Sequence, residues 1–332
     1  MARRMARARR GRTVIVTGGS AGVGRAVALA CAARGDRVGL IARGRSGLDD
    51  AVAEIVAAGG TAAAAPADIA DADALAFAAD ALEARLGPVD VWVNAAMLTV
   101  FARVVDIAPA ELRRVTEVTY LGNAHGVMEA LRRMRGRDRG VIVQIGSSLA
   151  YRGIPLQAAY CGAKHAIRGF VDSLRTELAH DGSRIAVTMV HIPAVNTPQF
   201  DWARTRTGRL PRPVAPVYQP EAIAAHVLAA IDRPRREVWV GWTTPAVIGA
   251  DMVAPGLLDR YLAATALDGQ GRPRPTPPDR PDNLFAPVAG LHRTRGSFGP
   301  ESADRALAVT GATARLAGLG TAALLARAGA RR

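Results

Sequence analysis

Two side chains four positions apart are the first candidates for chemistry. Tyr160 and Lys164 lie in the apolar stretch Gln157–His180, and helical residues at i and i+4 share a face. A phenol beside an ammonium group makes a proton donor, because a nearby cation favours the phenolate. The lysine is distinctive in a second way. Among 43 Lys and Arg residues it is the one lysine. Arginine cannot replace lysine where a compact charge on a flexible stem is required. The plain alternative is a packed aromatic with a surface lysine one turn later. Gly146-Ser147-Ser148 ends an upstream apolar run, with Ser147 thirteen residues before the tyrosine.

A second constellation lies near the start of the chain. Thr17-Gly18-Gly19-Ser20-Ala21-Gly22-Val23-Gly24 joins an apolar run to an alanine-rich one. Gly18 suits a tight turn, Gly22 a close approach of backbone to phosphate, and Gly24 the packing of helix on strand. A pyrophosphate would then meet the free N–H groups of the helix start. Glycines alone also fit an ordinary strand–helix turn, but the first βα unit is where a dinucleotide binds. The next strand ends Ile41-Ala42-Arg43-Gly44-Arg45. An NAD site places Asp or Glu here to hold the ribose 2′-hydroxyl. Arg43 instead suits the 2′-phosphate of NADP(H), although arginines are common in this chain.

Taken in order, Thr-Gly-x-x-x-Gly-x-Gly at 17–24, Asn94-Ala95-Ala96, Ser147 and Tyr160-x-x-x-Lys164 resemble the short-chain dehydrogenase/reductase family, from Thr13 to about Gly241. The resemblance implies an NADP(H)-dependent oxidoreductase that exchanges hydride with an alcohol or carbonyl, and a homo-oligomer. It implies Tyr160 as general acid/base. Lys164 would bind the nicotinamide ribose and depress the tyrosine pKa. Ser147, rather than Ser148, would hold the substrate oxygen. Gly18, Ser20, Gly22, Val23 and Gly24 would cradle the cofactor. Asp68 and Ile69 would contact the adenine, and Asn94 would steady the central strand beside it. Pro193 and Thr197 would wrap the carboxamide. Two positions depart from the family. Ala96 stands where glycine is usual. The family's fourth catalytic residue, an asparagine, falls at Thr119 by gapless counting, with Asn123 one turn later. That departure motivates a second class of function, a cofactor-binding regulator with little or no turnover.

These residues need elements to position them. Strands are expected at Thr13–Thr17, Arg37–Ala42, Thr61–Ala67, Val89–Val93, Gly140–Gly146, Arg184–His191 and Glu237–Val240. Helices are expected at Gly22–Arg34, Ser46–Ala58, Asp71–Leu86, Pro109–Met134, Gln157–His180 and Pro220–Asp232. The alternation predicts an α/β fold: a Rossmann-type, doubly wound parallel sheet. The strand runs are continuously apolar, as in a sheet covered on both faces. This reading gives a basic arm at 1–12, one catalytic domain at 13–245 and a C-terminal extension at 246–332. Within the extension, Asp268–Pro287 should lack regular structure, and Ala303–Arg332 could be helical.

Composition narrows the function classes. The net charge is +14, with six arginines in the first twelve residues. The other basic residues are scattered and not interleaved with aromatics, which argues against nucleic acid as partner. Contact of the arm with a membrane surface has no further support. No apolar run approaches the ~20 residues of a membrane span. Cys31 and Cys161 lie in apolar surroundings, and the six histidines show no metal-ligand spacing, so a cytoplasmic, metal-free protein is expected. Met97, Leu98, Phe101, Tyr151, Ile154, Leu156, Phe200 and Trp202 lie in the loops after the strands and suggest an apolar substrate.

Overall fold

A computed structural model of the chain describes residues 11–314. Most of the expected arm and residues 315–332 of the expected C-terminal helices lie outside the described residues. Eight strands form the central sheet: β1 (Thr13–Thr17), β2 (Arg37–Ala42), β3 (Thr61–Pro66), β4 (Val91–Asn94), β5 (Gly140–Ser147), β6 (Ile185–Ile192), β7 (Glu237–Val240) and β8 (Ala308–Thr310). Their order is β3-β2-β1-β4-β5-β6-β7-β8. The first seven run parallel, and β8 pairs antiparallel with β7. The chain reverses direction of travel between β1 and β4, and a crevice at such a switch point is where this fold binds ligands.

Helices cover both faces. One face carries α1 (Gly22–Ala33) and α2 (Arg45–Ala57); the other carries α3 (Ala72–Leu86), α4 (Pro109–Thr116), α5 (Gly122–Arg135) and α6 (Ala158–His180); α7 (Pro220–Asp232) packs beside α1. Two apolar clusters result, one on each side of the sheet. Burial on both faces explains the unbroken apolar runs: all five residues of β1 are buried.

The largest departures from the sequence expectation lie in two regions. The helix expected at Pro109–Met134 is interrupted by a π turn at Glu117–Leu121. The Asn123 side chain sits at this turn and donates to the carbonyls of Val118 and Thr119 at 3.2 and 3.0 Å, taking up acceptors of the interrupted ladder. The second region follows β7. Helix α8 (Thr243–Val253) runs across residue 245, and α9 (Pro255–Gly269) follows at once. Gly271–Pro275, expected to be irregular, pairs antiparallel with Arg209–Pro211. Ala308–Thr310, expected to be helical, is the edge strand β8. Local composition reports propensity, whereas these residues are ordered by partners distant in sequence.

Candidate active site

The glycine loop is built by contact. Gly18 has φ +71°, and a β-carbon on it would lie 2.7 Å from the main chain of Ala96. A β-carbon at Gly24 would lie 2.3 Å from the Gly18 carbonyl oxygen. The N-cap of α1 is Ala21, which offers no side-chain acceptor, so the first N–H groups of the helix are left for another partner. These features fit a dinucleotide phosphate. They open on a cleft of about 650 Å³ at the carboxyl ends of the strands.

The structure brings most of the singled-out residues to that cleft. Gly18, Ser20, Gly22, Val23 and Gly24 line one end, with Arg43, Asp68 and Ile69 beyond them. Ser147, Tyr160 and Lys164 line its middle, and Pro193 and Thr197 close over it. Asn94 stands apart. It is fully buried below the cleft, where Oδ1 accepts from the Trp92 indole at 2.9 Å and Nδ2 donates to the Asn123 carbonyl at 3.3 Å. It braces β4 against α5 and does not line the cleft.

Ser147 ends β5, and Tyr160 and Lys164 project from the first turns of α6. The serine hydroxyl accepts from the Leu149 N–H at 3.1 Å, and His191 Nδ1 donates to the Ser147 carbonyl at 3.0 Å. Lys164 Nζ lies 5.6 Å from the Tyr160 ring centroid and donates to the Ile145 carbonyl at 2.8 Å. Burial pushes the Tyr160 phenol above its ordinary range, and the Ser147 hydroxyl beside it pulls the other way. Burial lowers Lys164 to about 8. Desolvation is the largest influence on the phenol and favours its protonated form.

Thr119 and Asn123 are both fully buried. Thr119 Oγ1 accepts from Leu98 N–H at 2.8 Å and donates to Leu98 O at 2.9 Å. Asn123 also donates to Ala96 O at 3.1 Å and accepts from Gln144 at 2.9 Å. Neither side chain lines the cleft; both fix the strand–loop that carries Ala96, Met97 and Leu98.

The apolar half of the cleft differs in part from expectation. Met97, Leu98, Phe101, Ile154, Phe200 and Trp202 line it. Tyr151 and Leu156 do not; Tyr151 turns away and its hydroxyl donates to Glu237 at 2.7 Å. The missed wall comes from α8 and α9: Trp242, Val247, Ala250, Leu258, Tyr261 and Leu262. No helix was expected there, and nothing local pointed these residues at the site. Arg114 was also missed. It pairs with Asp68 at the far end of the cleft. Burial and then the charge of Arg114 lower the Arg43 pKa.

Cys31 and Cys161 are buried, and burial raises both thiols, Cys31 to about 12. Among the described residues no group of three or more His, Cys, Asp or Glu side chains could hold a metal ion, and no helix is long and apolar enough to cross a membrane.

A sequence profile described as short chain dehydrogenase matches residues 12–207. An oxidoreductase of Bacillus subtilis named YxnA is 27% identical over 281 residues, covering 84% of this chain and 79% of its own. Dehydrogenase/reductase SDR family member 7B of Bos taurus is 30% identical over 269 residues, covering 77% and 82%. Among solved structures, an actinorhodin polyketide ketoreductase variant with NADPH superimposes with a TM-score of 0.60 at 28% identity, covering 68% of this chain and 91% of that one.

Proposed function

Because this chain belongs to the short chain dehydrogenase family, we propose that it is an NADP(H)-dependent oxidoreductase acting reversibly on an apolar alcohol or carbonyl compound. The observation that carries this reading is the convergence of Ser147, Tyr160 and Lys164 on one apolar cleft whose other end is the glycine loop. The absence of an acid at the end of β2, with Arg43 in its place, supports NADP(H) over NAD(H). The superimposed ketoreductase with NADPH supports the same choice.

Each residue has a task. NADP(H), when bound, supplies or accepts the hydride at the substrate carbon. In reduction, Tyr160 donates its proton to the substrate oxygen as the carbonyl becomes an alcohol. The Ser147 hydroxyl donates to the same oxygen and fixes its position. Lys164 places a positive charge near the phenol oxygen as the proton leaves and holds the ribose beside it. The α8–α9 wall lines the substrate end with apolar side chains.

A panel of alcohols and carbonyl compounds incubated with NADPH and with NADH, read by nicotinamide absorbance, tests the proposal. Turnover of apolar substrates with NADPH preferred is expected. Tight NADPH binding with no turnover of any panel member would favour the regulator instead.

A further inference from the structure

The last part of the chain returns to the cleft and takes up its hydrogen-bond donors. At the Arg43 corner, Asn283 and Leu284 both present main-chain carbonyls to the guanidinium, Leu284 at 3.3 Å. The Leu284 carbonyl also accepts from Arg114 Nε at 3.2 Å. The Leu284 side chain is fully buried, in the same apolar cluster as Ala67, Ile69, Val115 and Val118. Next, His292 lies against α2: a β-carbon at Gly47 would sit 2.4 Å from its Nδ1. The His292 carbonyl accepts from Arg25 at 2.9 Å. Finally, the Arg293 carbonyl accepts from the Gly22 N–H at 3.0 Å.

Two of these donors, Arg43 and the Gly22 N–H, are ones a dinucleotide would use. Gly22 N–H is at the helix start that would meet the pyrophosphate, and Arg43 is the partner for the 2′-phosphate. A carbonyl oxygen and a phosphate oxygen are both acceptors, and one N–H cannot fully serve both. Leu284 belongs to the same buried apolar cluster as Ile69, the residue read as an adenine contact. The seat is imperfect, since Asn283 Oδ1 and His292 Nδ1 are buried without a hydrogen-bond partner, which costs stability. Both ends of the segment are tied to the loop over the cleft. Arg280 donates to the carbonyls of Ala203 and Phe200 at 2.6 and 3.1 Å, and Gly296 N–H donates to Asn196 O at 3.0 Å.

We propose that residues 283–293 form an internal strap that competes with the adenosine-phosphate half of the cofactor, and that NADP(H) binds by displacing it. The proposal rests on the cofactor reading above. The strap lowers apparent affinity by the fraction of chains in which it is seated. Its ties to Ala203, Phe200 and Asn196 pass the displacement to the loop that lines the substrate end.

Hydrogen exchange of the full chain, with and without NADPH, tests this directly. Amides of 283–293 should exchange faster when NADPH is bound. Leu284→Ser, which weakens the seat, should bind NADPH about tenfold more tightly in a fluorescence titration. NADPH binding that slows exchange in 283–293 would make the strap a fixed wall of the site and overturn competition, with the cofactor reading intact. An unchanged affinity in a folded Leu284→Ser protein would do the same. If neither protein bound NADPH or NADH, the cofactor reading would fail, and the competition with it. Exchange on the unaltered chain decides the question even where the variant does not fold.

Discussion

Burial acts in opposite directions on the two groups at the middle of the cleft. It raises the Tyr160 phenol and lowers Lys164 to about 8, in each case disfavouring the charged form. Tyr160→Phe keeps the ring and removes the proton, so turnover should fall by roughly 10²–10⁴-fold while NADPH binding, followed by fluorescence, persists. Turnover within a few fold of the parent would rule the tyrosine out as acid. Lys164 also leaves a mark on stability. Its folded value lies below the ordinary 10.5, so between about pH 8 and 10.5 the unfolded chain binds the extra proton. Stability from this group is fully present above that window and is lost as pH falls through about 8. The stability of the parent relative to Lys164→Met should therefore rise across the window, by on the order of 3 kcal/mol, in denaturant titrations run at several pH values. A flat difference would mean that Lys164 is not desolvated. Arg43→Asp should shift preference toward NADH, because it replaces a partner of the 2′-phosphate with a charge that repels it. An unmoved NADPH/NADH ratio of kcat/KM would place phosphate recognition elsewhere. The tyrosine, lysine, serine and glycines were legible because the motif sets them at fixed sequence offsets. Arg114 was not, since its meeting with Asp68 and Arg43 depends on how α4 packs.

Among the elements, the interrupted helix between α4 and α5 shows where sequence periodicity misleads. The apolar spacing of 109–134 continues through the π turn, so a single helix was expected. One side chain at the turn, Asn123, bonds Ala96, Val118, Thr119 and Gln144. Asn123→Ala would leave several of these buried groups without partners, each at ~1–3 kcal/mol. Partial relaxation should hold the total to about 2–4 kcal/mol in urea unfolding. Hydrogen exchange should also rise in 96–98, whose strand–loop loses its tie to α5. A loss below about 0.5 kcal/mol, the level of ordinary surface substitutions, would mean that the π turn is held by other contacts. The central-sheet strands and the helices flanking them through α7 were otherwise readable to within a few residues, because each buries its own apolar face; the short strands in 97–108 and 193–219 were not. Helices α8 and α9 were not assigned. They keep exposed apolar residues, with Trp242 and Tyr261 each 63% exposed, so no clean two-sided pattern marked them.

At the scale of the whole molecule, the C-terminal part completes the fold. Strand β8 covers the outer edge of β7 through three residue pairs, and the carbonyls around it accept from Gly241 N–H at 2.7 Å and His226 at 2.9 Å. Without it, β7 would present a row of unpaired backbone groups, the template through which sheets associate. Every residue lining the cleft precedes residue 304, so the edge can be removed without deleting the site. A chain ending at Asp304 should keep its NADPH affinity within a few fold. It should melt at lower temperature than a chain ending at Thr313, which retains β8, and it should form larger species in size-exclusion chromatography with light scattering. The paired truncations both lack the residues beyond 314, so the difference between them reports β8 and its flanking residues. Equal melting temperatures and equal masses would show that β7 is stable as an edge and that β8 merely rests against it. Loss of NADPH affinity in the shorter chain alone would place the support of the cleft in β8, since the strap at 283–293 and its ties at 280 and 296 are present in both.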